Sequence, residues 1–461
     1  MNGSSTPSRD QDTYYERVTS STAAGRLIRD AAARYLPDYL RSIAPNRPLV
    51  DNPSSHILVQ ALTETAARHE DPDIVTRAIA EFRRSPIMQL ADGANLLLDT
   101  ETLVNHLQYQ LACREAGIDY MWSQQCTTVR AITATNPLRG PAILETNQDY
   151  FAVLPGSRKK LLRTNVACIG PIQFKPTSLG IKAHDPTVQP PRLLKPVLGA
   201  HYDSAPRAIL AVNRIIWSRL QLSKKKKLVL FDEDLSAEVI QRHLEQRAEP
   251  ISDLVCDDDT RNAFLHVKRD IVNSSGNFVL RATTDLFWIR HEHRLRPCTI
   301  EYQSRGPALL RARHGGPTIE LTRDSVIEHL SCRNLYPDLI LAYLALVVLP
   351  GVTAAGGASQ HEYLPHIERL VTRAHGCGVL FPDAVISRIA AGTHSALIGP
   401  ALLALDDCQR NTLLSLDDDT SLDTFEYDVM HRKIAETAGD LDYLRYLDHL
   451  RATRIQTQHI P

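Results

Sequence analysis

The chain has 461 residues and a formal net charge of −1. This even balance gives no electrostatic argument for nucleic-acid binding, because proteins that bind nucleic acid carry a basic excess or stripe. Hydrophobic residues make up 43% and charged residues 23%, which is typical of a globular protein with room for two or three domains.

Cysteine usage and the N-terminal segment both favour a cytoplasmic protein. The eight cysteines include no Cys-x-x-Cys pair, so the sequence predicts no structural zinc ribbon and no bound metal. In a chain of this size we expect reduced, mostly buried thiols. The first 21 residues lack the apolar core of a signal peptide. Self-association into a homo-oligomer is left open.

One uncharged stretch, residues 339–360, resembles a membrane span in length. Only residues 339–349 are strongly apolar, which is shorter than the roughly 20 residues that a spanning helix needs. Pro350 and Gly351 interrupt the stretch, and its second half is small and polar. We therefore predict a buried helix followed by a buried strand, and no membrane partner.

In chain order, the periodicity divides the sequence into three parts. Residues 1–120 have apolar positions at helical spacing and predict an α-helical N-terminal region. Residues 121–390 predict an α/β core, with strands at 127–132, 142–145, 166–169, 264–267, 277–280, 286–289 and 379–381. Residues 391–461 predict a helical C-terminal segment, with Leu441, Leu444, Leu447 and Leu450 on one stripe.

Residues 195–238 predict a β-α-β unit. An apolar strand at 196–198 leads into the turn Gly-Ala-His-Tyr-Asp-Ser, a helix follows at 206–220, and a second strand at 228–231 ends on Asp232, Glu233 and Asp234. In open α/β sheets, ligands bind in the crevice at the carboxyl ends of the strands. We therefore expect the turn and the three acidic residues to face the same crevice.

Two groups of candidate catalytic residues lie at these strand ends. His201 and Asp203 suit acid/base chemistry, although Asp203 is also a natural helix cap and His201 a natural partner for a backbone carbonyl. Glu233 and Asp234 are candidate catalytic carboxylates, and Asp232 is a candidate substrate ligand. Three adjacent carboxylates suit a cation or an amine substrate, but a solvated acidic turn has the same sequence.

A third candidate site follows the buried strand near residue 355. Gly356 and Gly357 leave room for a ligand to approach the backbone, and a helix is predicted to begin at Ser359. Such a helix start favours an anion, with Gln360 and Glu362 as further substrate-binding candidates. The alternative is a capping box formed by Ser359 and Glu362, which would only stabilise the helix.

These motifs resemble those of the cysteine-adding enzymes of bacillithiol synthesis. The similarity covers roughly 100 residues: the His201 turn, the helix at 206–220 and the strand ending at Glu233, and later the apolar helix at 339–349, Gly356-Gly357 and Glu362. The resemblance implies a Rossmann-like, mostly parallel sheet with large helical additions. It also implies a biosynthetic enzyme, in a pathway of secondary metabolism, that joins an amino-acid nucleophile to a small-molecule acceptor.

The same turn is similar to the segment that supplies the first metal histidine in zinc-dependent aminopeptidases and glutaminyl cyclases. That resemblance implies His201 as a ligand, with Glu233 and Asp234 in place of a Glu-Glu pair. Between these motifs the family has a bridging aspartate, where this sequence has only Asn213. A non-catalytic partner or scaffold protein of a biosynthetic pathway is the third alternative. The residues identify no cofactor.

Overall fold

The computed structural model describes residues 20, 23–43, 47–136, 138–183, 187–313, 315–392, 395–397, 407–416 and 420–423. The predicted C-terminal stripe Leu441–Leu450 lies outside the described residues. Within them, no helix is both long enough and apolar enough to cross a membrane.

Sixteen α-helices are numbered here in chain order over the described residues. They are α1 Ala23–Asp30, α2 Leu36–Ile43, α3 Pro53–Ala67, α4 Pro72–Arg84, α5 Thr100–Glu115, α6 Arg158–Leu161, α7 Ala205–Arg219, α8 Asp234–Glu245, α9 Ile251–Cys256, α10 Asp258–Ser275, α11 Phe278–Arg281, α12 Arg323–Ser331, α13 Leu339–Tyr343, α14 Ala358–Gly376, α15 Asp383–Ala390 and α16 Asp407–Leu414.

Seventeen strands are numbered in the same way. They are β1 Ile87–Gly93, β2 Tyr120–Cys126, β3 Ala134–Thr135, β4 Leu138–Arg139, β5 Ile143–Glu145, β6 Tyr150–Ala152, β7 Ile172–Gln173, β8 Thr177–Ser178, β9 His201–Tyr202, β10 Lys227–Asp232, β11 Phe287–His291, β12 Arg294–Glu301, β13 Leu309–Ala312, β14 Thr318–Glu320, β15 Leu335–Pro337, β16 Thr353–Gly356 and β17 Ser395–Leu397.

The largest parallel structure is a five-stranded sheet in the order β10-β2-β1-β16-β17. All four neighbouring pairs are parallel, as predicted for the core. From β1 the chain builds outward through β2 to β10, and then returns to the other side of β1 as β16 and β17. The order of the strands therefore reverses between β1 and β16.

Both faces of this sheet are covered, because successive side chains of a strand point to opposite faces. Ile87, Met121 and Leu230 belong to one hydrophobic cluster, which also contains the apolar residues of α5 and α7. Met88, Trp122 and Val229 belong to a second cluster with α3, α8 and α14. This alternation fixes the sheet between two cores.

A second five-stranded sheet, in the order β14-β13-β12-β11-β15, is antiparallel throughout. The sequence predicted only part of it, at 286–289. The predicted strand at 264–267 is wrong because those residues lie inside the long helix α10, and residues 277–280 overlap the short helix α11. Residues 379–381 form no strand.

Two further strand predictions are corrected by the structure. Residues 166–169 coincide with a 3₁₀ helix, Val166–Cys168, and residues 127–132 follow β2 rather than forming a strand. Strand β1 was missed entirely, because its residues fall in the part of the chain that the periodicity assigned to helices. The division into three domains stays a prediction.

The central β-α-β prediction is correct only in its second half. Helix α7 and strand β10 form as predicted, but the expected strand at 196–198 does not form, because a 3₁₀ helix, Arg192–Val197, runs into it and Leu198 lies in a turn. His201 belongs instead to β9, which pairs antiparallel with β7 outside the parallel sheet. The sheet neighbour of β10 is β2.

The apolar stretch at 339–349 is buried, and a buried strand follows it, as predicted. Helix α13 continues into five residues of π-helix, Leu344–Val348. Short π-helical segments often accompany functional sites. Here Tyr343 and Leu346 of this stretch contribute to the wall of the cavity described next.

Candidate functional site

A cavity of 480 Å³ lies at the carboxyl edge of the parallel sheet. Gly93 at the end of β1, Cys126 at the end of β2 and Gly356 at the end of β16 all line it. Ligands of open α/β sheets bind at this edge, at the point where the strand order reverses. The cavity spans that point, because it is bounded by both β1 and β16.

The charged residues described in the wall of the cavity are acidic. Among the described residues, Glu101 and Glu233 line the cavity, whereas no lysine, arginine or histidine does. Glu101 is exposed, and its carboxylate is 3.8 Å from the guanidinium of Arg139. Leu90, Leu346 and Trp288 add apolar surface. The cavity therefore combines two carboxylates, one exposed and one partly buried, with neutral polar and apolar groups.

The Glu233 carboxylate accepts four hydrogen bonds. Its Oε1 accepts hydrogen bonds from Thr128 Oγ1 at 2.7 Å and from Cys126 Sγ at 3.3 Å. Its Oε2 accepts from Thr127 Oγ1 at 3.1 Å and from the Thr128 backbone N–H. All four donors come from the residues that end β2 and follow it, and all are uncharged.

The surroundings of Glu233 act in two directions on its pKa. Removal from bulk water raises the pKa, and the hydrogen bonds from Thr128, Cys126 and Thr127 lower it by stabilising the charged form. The pKa remains raised because burial is the larger effect. A carboxylate with a raised pKa is suited to accept a proton near neutral pH.

Two buried amide side chains of the wall have unmet hydrogen-bonding capacity. Gln360 is 5% exposed, and neither its Oε1 nor its Nε2 has a described partner. Gln89 is 2% exposed, and its Oε1 also lacks one. Buried polar groups are normally hydrogen-bonded, and leaving one unpaired costs about 1–3 kcal/mol.

Gly356 allows Gln360 to occupy this position. A Cβ atom on Gly356 would lie 1.8 Å from Gln360 Oε1, so any larger residue would displace the amide. Gly357 has open space at the same point, since nothing lies within 4 Å of its hypothetical Cβ. A side chain at Gly356 would therefore collide with Gln360, whereas one at Gly357 would meet no neighbour, although the two glycines are adjacent in sequence.

Helix α14 begins one residue earlier than predicted and is capped differently. Its N-cap is Gly357, which makes no side-chain capping bond, so the predicted N-cap role of Ser359 is wrong. Gly356, Gly357, Ser359 and Gln360 line the cavity as a group. Glu362 is half-buried on the same helix and is not among the described lining residues. The helix N-terminus thus opens on the cavity.

The loop after β1 is held in place by Asn213 of α7. Asn213 Oδ1 accepts from the Leu97 backbone N–H at 2.8 Å, and its Nδ2 donates to the Asn95 carbonyl at 2.9 Å. Asn95 lines the cavity, and its Oδ1 has no described partner. Asn213 therefore positions the loop that forms one side of the cavity.

The other two acidic residues at the end of β10 point elsewhere. Asp232 is buried, and burial together with the Asp234 carboxylate raises its pKa to about 7. Asp234 lies in the first turn of α8, 3.1 Å from Arg333 Nε and 3.4 Å from Tyr336 Oη. Of the three predicted carboxylates, only Glu233 lines the cavity.

His201 and Asp203 lie outside the cavity. Both are exposed, and the Asp203 carboxylate is 3.5 Å from Arg207. Ser204, not Asp203, caps α7. The expectation that this turn faces the same crevice as Asp232, Glu233 and Asp234 is wrong, because the two segments are not on neighbouring strands. The catalytic role assigned to His201 and Asp203 stays a prediction that the geometry does not support.

Sequence reasoning missed Gln89, Asn95, Cys126 and Thr128 as cavity residues. Gln89 lies in β1 and Asn95 lies just after it, so both were missed together with that strand. The short apolar run before Gly93 was the feature of the sequence that could have predicted it. Cys126 is the last residue of β2 and Thr128 follows it, whereas the sequence predicted a strand that ends six residues later, at Ile132. Within the described residues, no group of three or more His, Cys, Asp or Glu side chains is placed to hold a metal ion.

Comparisons of this chain with family models, with curated proteins and with solved structures find no match.

Proposed function

We propose that the chain is a Rossmann-like enzyme that binds an amino acid in the cavity and joins its amino group to a small-molecule acceptor. One observation carries the proposal: Glu233 lines a cavity in which no described cation faces it. A carboxylate withdrawn from water is costly, and the hydrogen bonds to Glu233 offset only part of that cost, because its pKa stays raised. The ammonium group of a ligand supplies the opposite charge.

The donors around Glu233 are compatible with such a ligand. Three of the four are hydroxyl or thiol groups, from Thr127, Thr128 and Cys126, and their hydrogens rotate about a single bond. They can therefore turn away when an ammonium group approaches the carboxylate. The backbone N–H of Thr128 keeps the carboxylate oriented.

The carboxylate of an amino acid has a complementary position at the other side. Helix α14 presents its N-terminus to the cavity, where the helix dipole favours negative charge. Gln360 adds an amide Nε2 without a described partner. An amino acid would thus place opposite charges at the two ends of the site. The volume of 480 Å³ exceeds that of one amino acid and leaves room for the acceptor.

Glu233 also supports the chemical step. Glu233 takes a proton from the ammonium group, since a carboxylate whose pKa is raised by burial is a suitable base. The freed nitrogen attacks an electrophilic carbon of the acceptor, and the new C–N bond replaces the bond from that carbon to a leaving group, which departs with the electron pair. The cavity wall supplies uncharged amides to hold the acceptor. The resemblance to cysteine-adding enzymes agrees with this reading, because it pairs the acidic end of one strand with the Gly-Gly turn.

The Rossmann-like assignment is supported by the strand order. Counted along the chain, the parallel sheet runs 3-2-1-4-5, with the cavity at the reversal. The zinc-hydrolase alternative has less support, because its proposed ligand His201 is exposed while Glu233 lines the cavity. We propose a cytoplasmic location, because the cysteines of a chain of this size are expected to be reduced thiols.

The test is calorimetric binding with the full chain and matched small molecules. We expect L-cysteine and other amino acids to bind more tightly than 3-mercaptopropionate, which lacks the amine, and cysteamine, which lacks the carboxylate. Glu233→Gln should weaken amino-acid binding about 10- to 100-fold, since hydrogen bonds to charged groups contribute about 1.5–3 kcal/mol. Gln360→Leu should reduce mainly the preference for the carboxylate.

The control variant is His201→Ala, which changes an exposed residue outside the cavity. It should bind as the unmodified chain does. Equal binding of an amino acid and its deaminated analogue by the unmodified chain would rule out the assigned role of Glu233. Equal loss of binding in His201→Ala would instead direct attention to the turn at 199–204.

A further inference from the structure

A second concavity, of 440 Å³, lies between two segments that are distant in sequence. One segment is residues 157–164, which contains α6, and the other is the hairpin formed by β11 and β12. The described residues that line it do not include any that line the cavity. It is therefore a separate feature of the molecule.

The charge of this basic pocket, defined by its lining residues, is opposite to that of the cavity. Among the described residues, five cationic side chains line it against a single carboxylate, that of Glu292; the cations are Lys159, Lys160, Arg163, Arg294 and Arg296. With His293 counted as neutral, the excess is four positive charges. The chain as a whole carries a net charge of −1, so this excess is local.

Ion pairs do not compensate these five cations in the part of the chain that the structure describes. Within the described residues, none of them forms an ion pair with a carboxylate. The Nε of Arg296 is buried and has no described hydrogen-bond partner. Like charges held close together repel one another, and a bound anion relieves that repulsion.

The two segments are fixed relative to each other by Asn165. Its Oδ1 accepts from the Leu295 backbone N–H at 3.0 Å, between the two arginines of β12, and its Nδ2 donates to the Thr128 carbonyl. Arg294 and Arg296 are two residues apart on a strand and therefore project to the same face. The cations are thus presented by a connected framework and not by a free loop.

We propose that the basic pocket binds the phosphate groups of a small phosphorylated molecule, with a diphosphate as the preferred class. Arginine guanidinium groups match phosphate oxygens in a bidentate geometry, and lysines add point charges. An excess of four charges suits a diphosphate better than a single phosphate. The concave shape favours a compact anion, because a polymer backbone would need a longer track of cations.

The test uses inorganic pyrophosphate as the probe, titrated into the full chain by calorimetry at low and at physiological salt. We expect saturable binding that weakens with salt, and a rise in the unfolding temperature as pyrophosphate is added. Arg163→Gln and Arg294→Gln should each weaken binding at least tenfold. Arg305→Gln, an exposed arginine outside the pocket, should leave the affinity unchanged.

A charge variant in the opposite direction separates a binding role from a structural one. Glu292→Gln removes the one carboxylate among the described lining residues and should tighten pyrophosphate binding several-fold. Unchanged affinity in all pocket variants would overturn the proposal. So would tighter binding of single-stranded oligonucleotides that increases with their length, because that result would indicate a nucleic-acid surface. The amino-acid proposal does not depend on either outcome.

Discussion

Two carboxylates withdrawn from bulk water, Asp338 and Glu233, differ in what compensates their charge. Asp338 is fully buried and pairs with the ammonium group of Lys268, which also donates to the carbonyls of Thr284 and Asp285 at 2.6 and 2.7 Å. Glu233 lines a cavity and receives hydrogen bonds from neutral groups only. Burial raises the pKa of both.

The difference separates a structural role from a binding role. Asp338 has its counter-ion within the protein, and its Oδ1 also caps α13 through the Leu341 N–H at 2.9 Å. The charge of Asp338 is therefore compensated within the protein. Glu233 is oriented by its hydrogen bonds, has no counter-ion among the described residues, and lines the cavity. A buried carboxylate is thus compensated inside the protein at Asp338, whereas the proposed function assigns the compensation of Glu233 to a ligand.

The largest expected effect is on stability, from removal of the counter-ion of Asp338. Lys268→Met should lower the free energy of unfolding by roughly 3–5 kcal/mol, because it leaves a buried charge without a partner. Urea unfolding measures the change, with Lys175→Met, at an exposed lysine, as the control. A loss below about 1 kcal/mol would mean that Asp338 is neutral in the folded state, and the contrast with Glu233 would weaken.

Asp232 provides a pH test of a third buried carboxylate. Its pKa is raised from 3.8 to about 7, so the folded state binds a proton more tightly than the unfolded state. The contribution of Asp232 to stability should therefore be greatest below pH 4. It should fall as the pH rises from about 4 through 7, by at most about 1.4 kcal/mol per pH unit. Unfolding of Asp232→Asn across this range should be flatter; parallel curves would contradict the shift.

Substitutions of Gly356 and Gly357 test whether the cavity wall around Gln360 depends on a glycine. Gly356→Ala should displace Gln360, because the new Cβ would lie 1.8 Å from Gln360 Oε1, and should destabilise the fold by roughly 1–3 kcal/mol. Amino-acid binding should weaken in parallel. Gly357→Ala is the matched control, since its Cβ meets nothing within 4 Å. Similar behaviour of the two variants would show that Gln360 does not depend on Gly356.

The smallest effect is expected at the exposed turn. His201→Ala should change the free energy of unfolding by less than about 0.5 kcal/mol, as is usual for surface substitutions. Thermal unfolding with and without amino acid measures both stability and binding. A marked loss of either would show that His201 has contacts beyond those of β9, and would restore its candidacy as a site residue.

Part of the site was predictable and part was not. Glu233 at a strand end, and Gly356, Gly357 and Gln360 at a helix start, were identified from local patterns. The loss of His201 from the site had a local cause, since Arg192–Val197 forms a 3₁₀ helix where an apolar strand was expected. Pro196 lies within it, and a short apolar run does not distinguish a strand from a buried helical turn.

The sequence alone determined the elements whose periodicity is strong: α7, β10, the apolar stretch at 339–349, β16 and most of α14. It also determined that acidic and Gly-Gly segments follow strands. Only the tertiary structure decided that β10 lies beside β2, that β1 lies beside β16, and that Glu233, Gln89 and Gln360 share one cavity. The physical reason is range. Spacings of two to four residues record which face of an element is apolar, whereas neighbours in a sheet that are more than 100 residues apart leave no such local record.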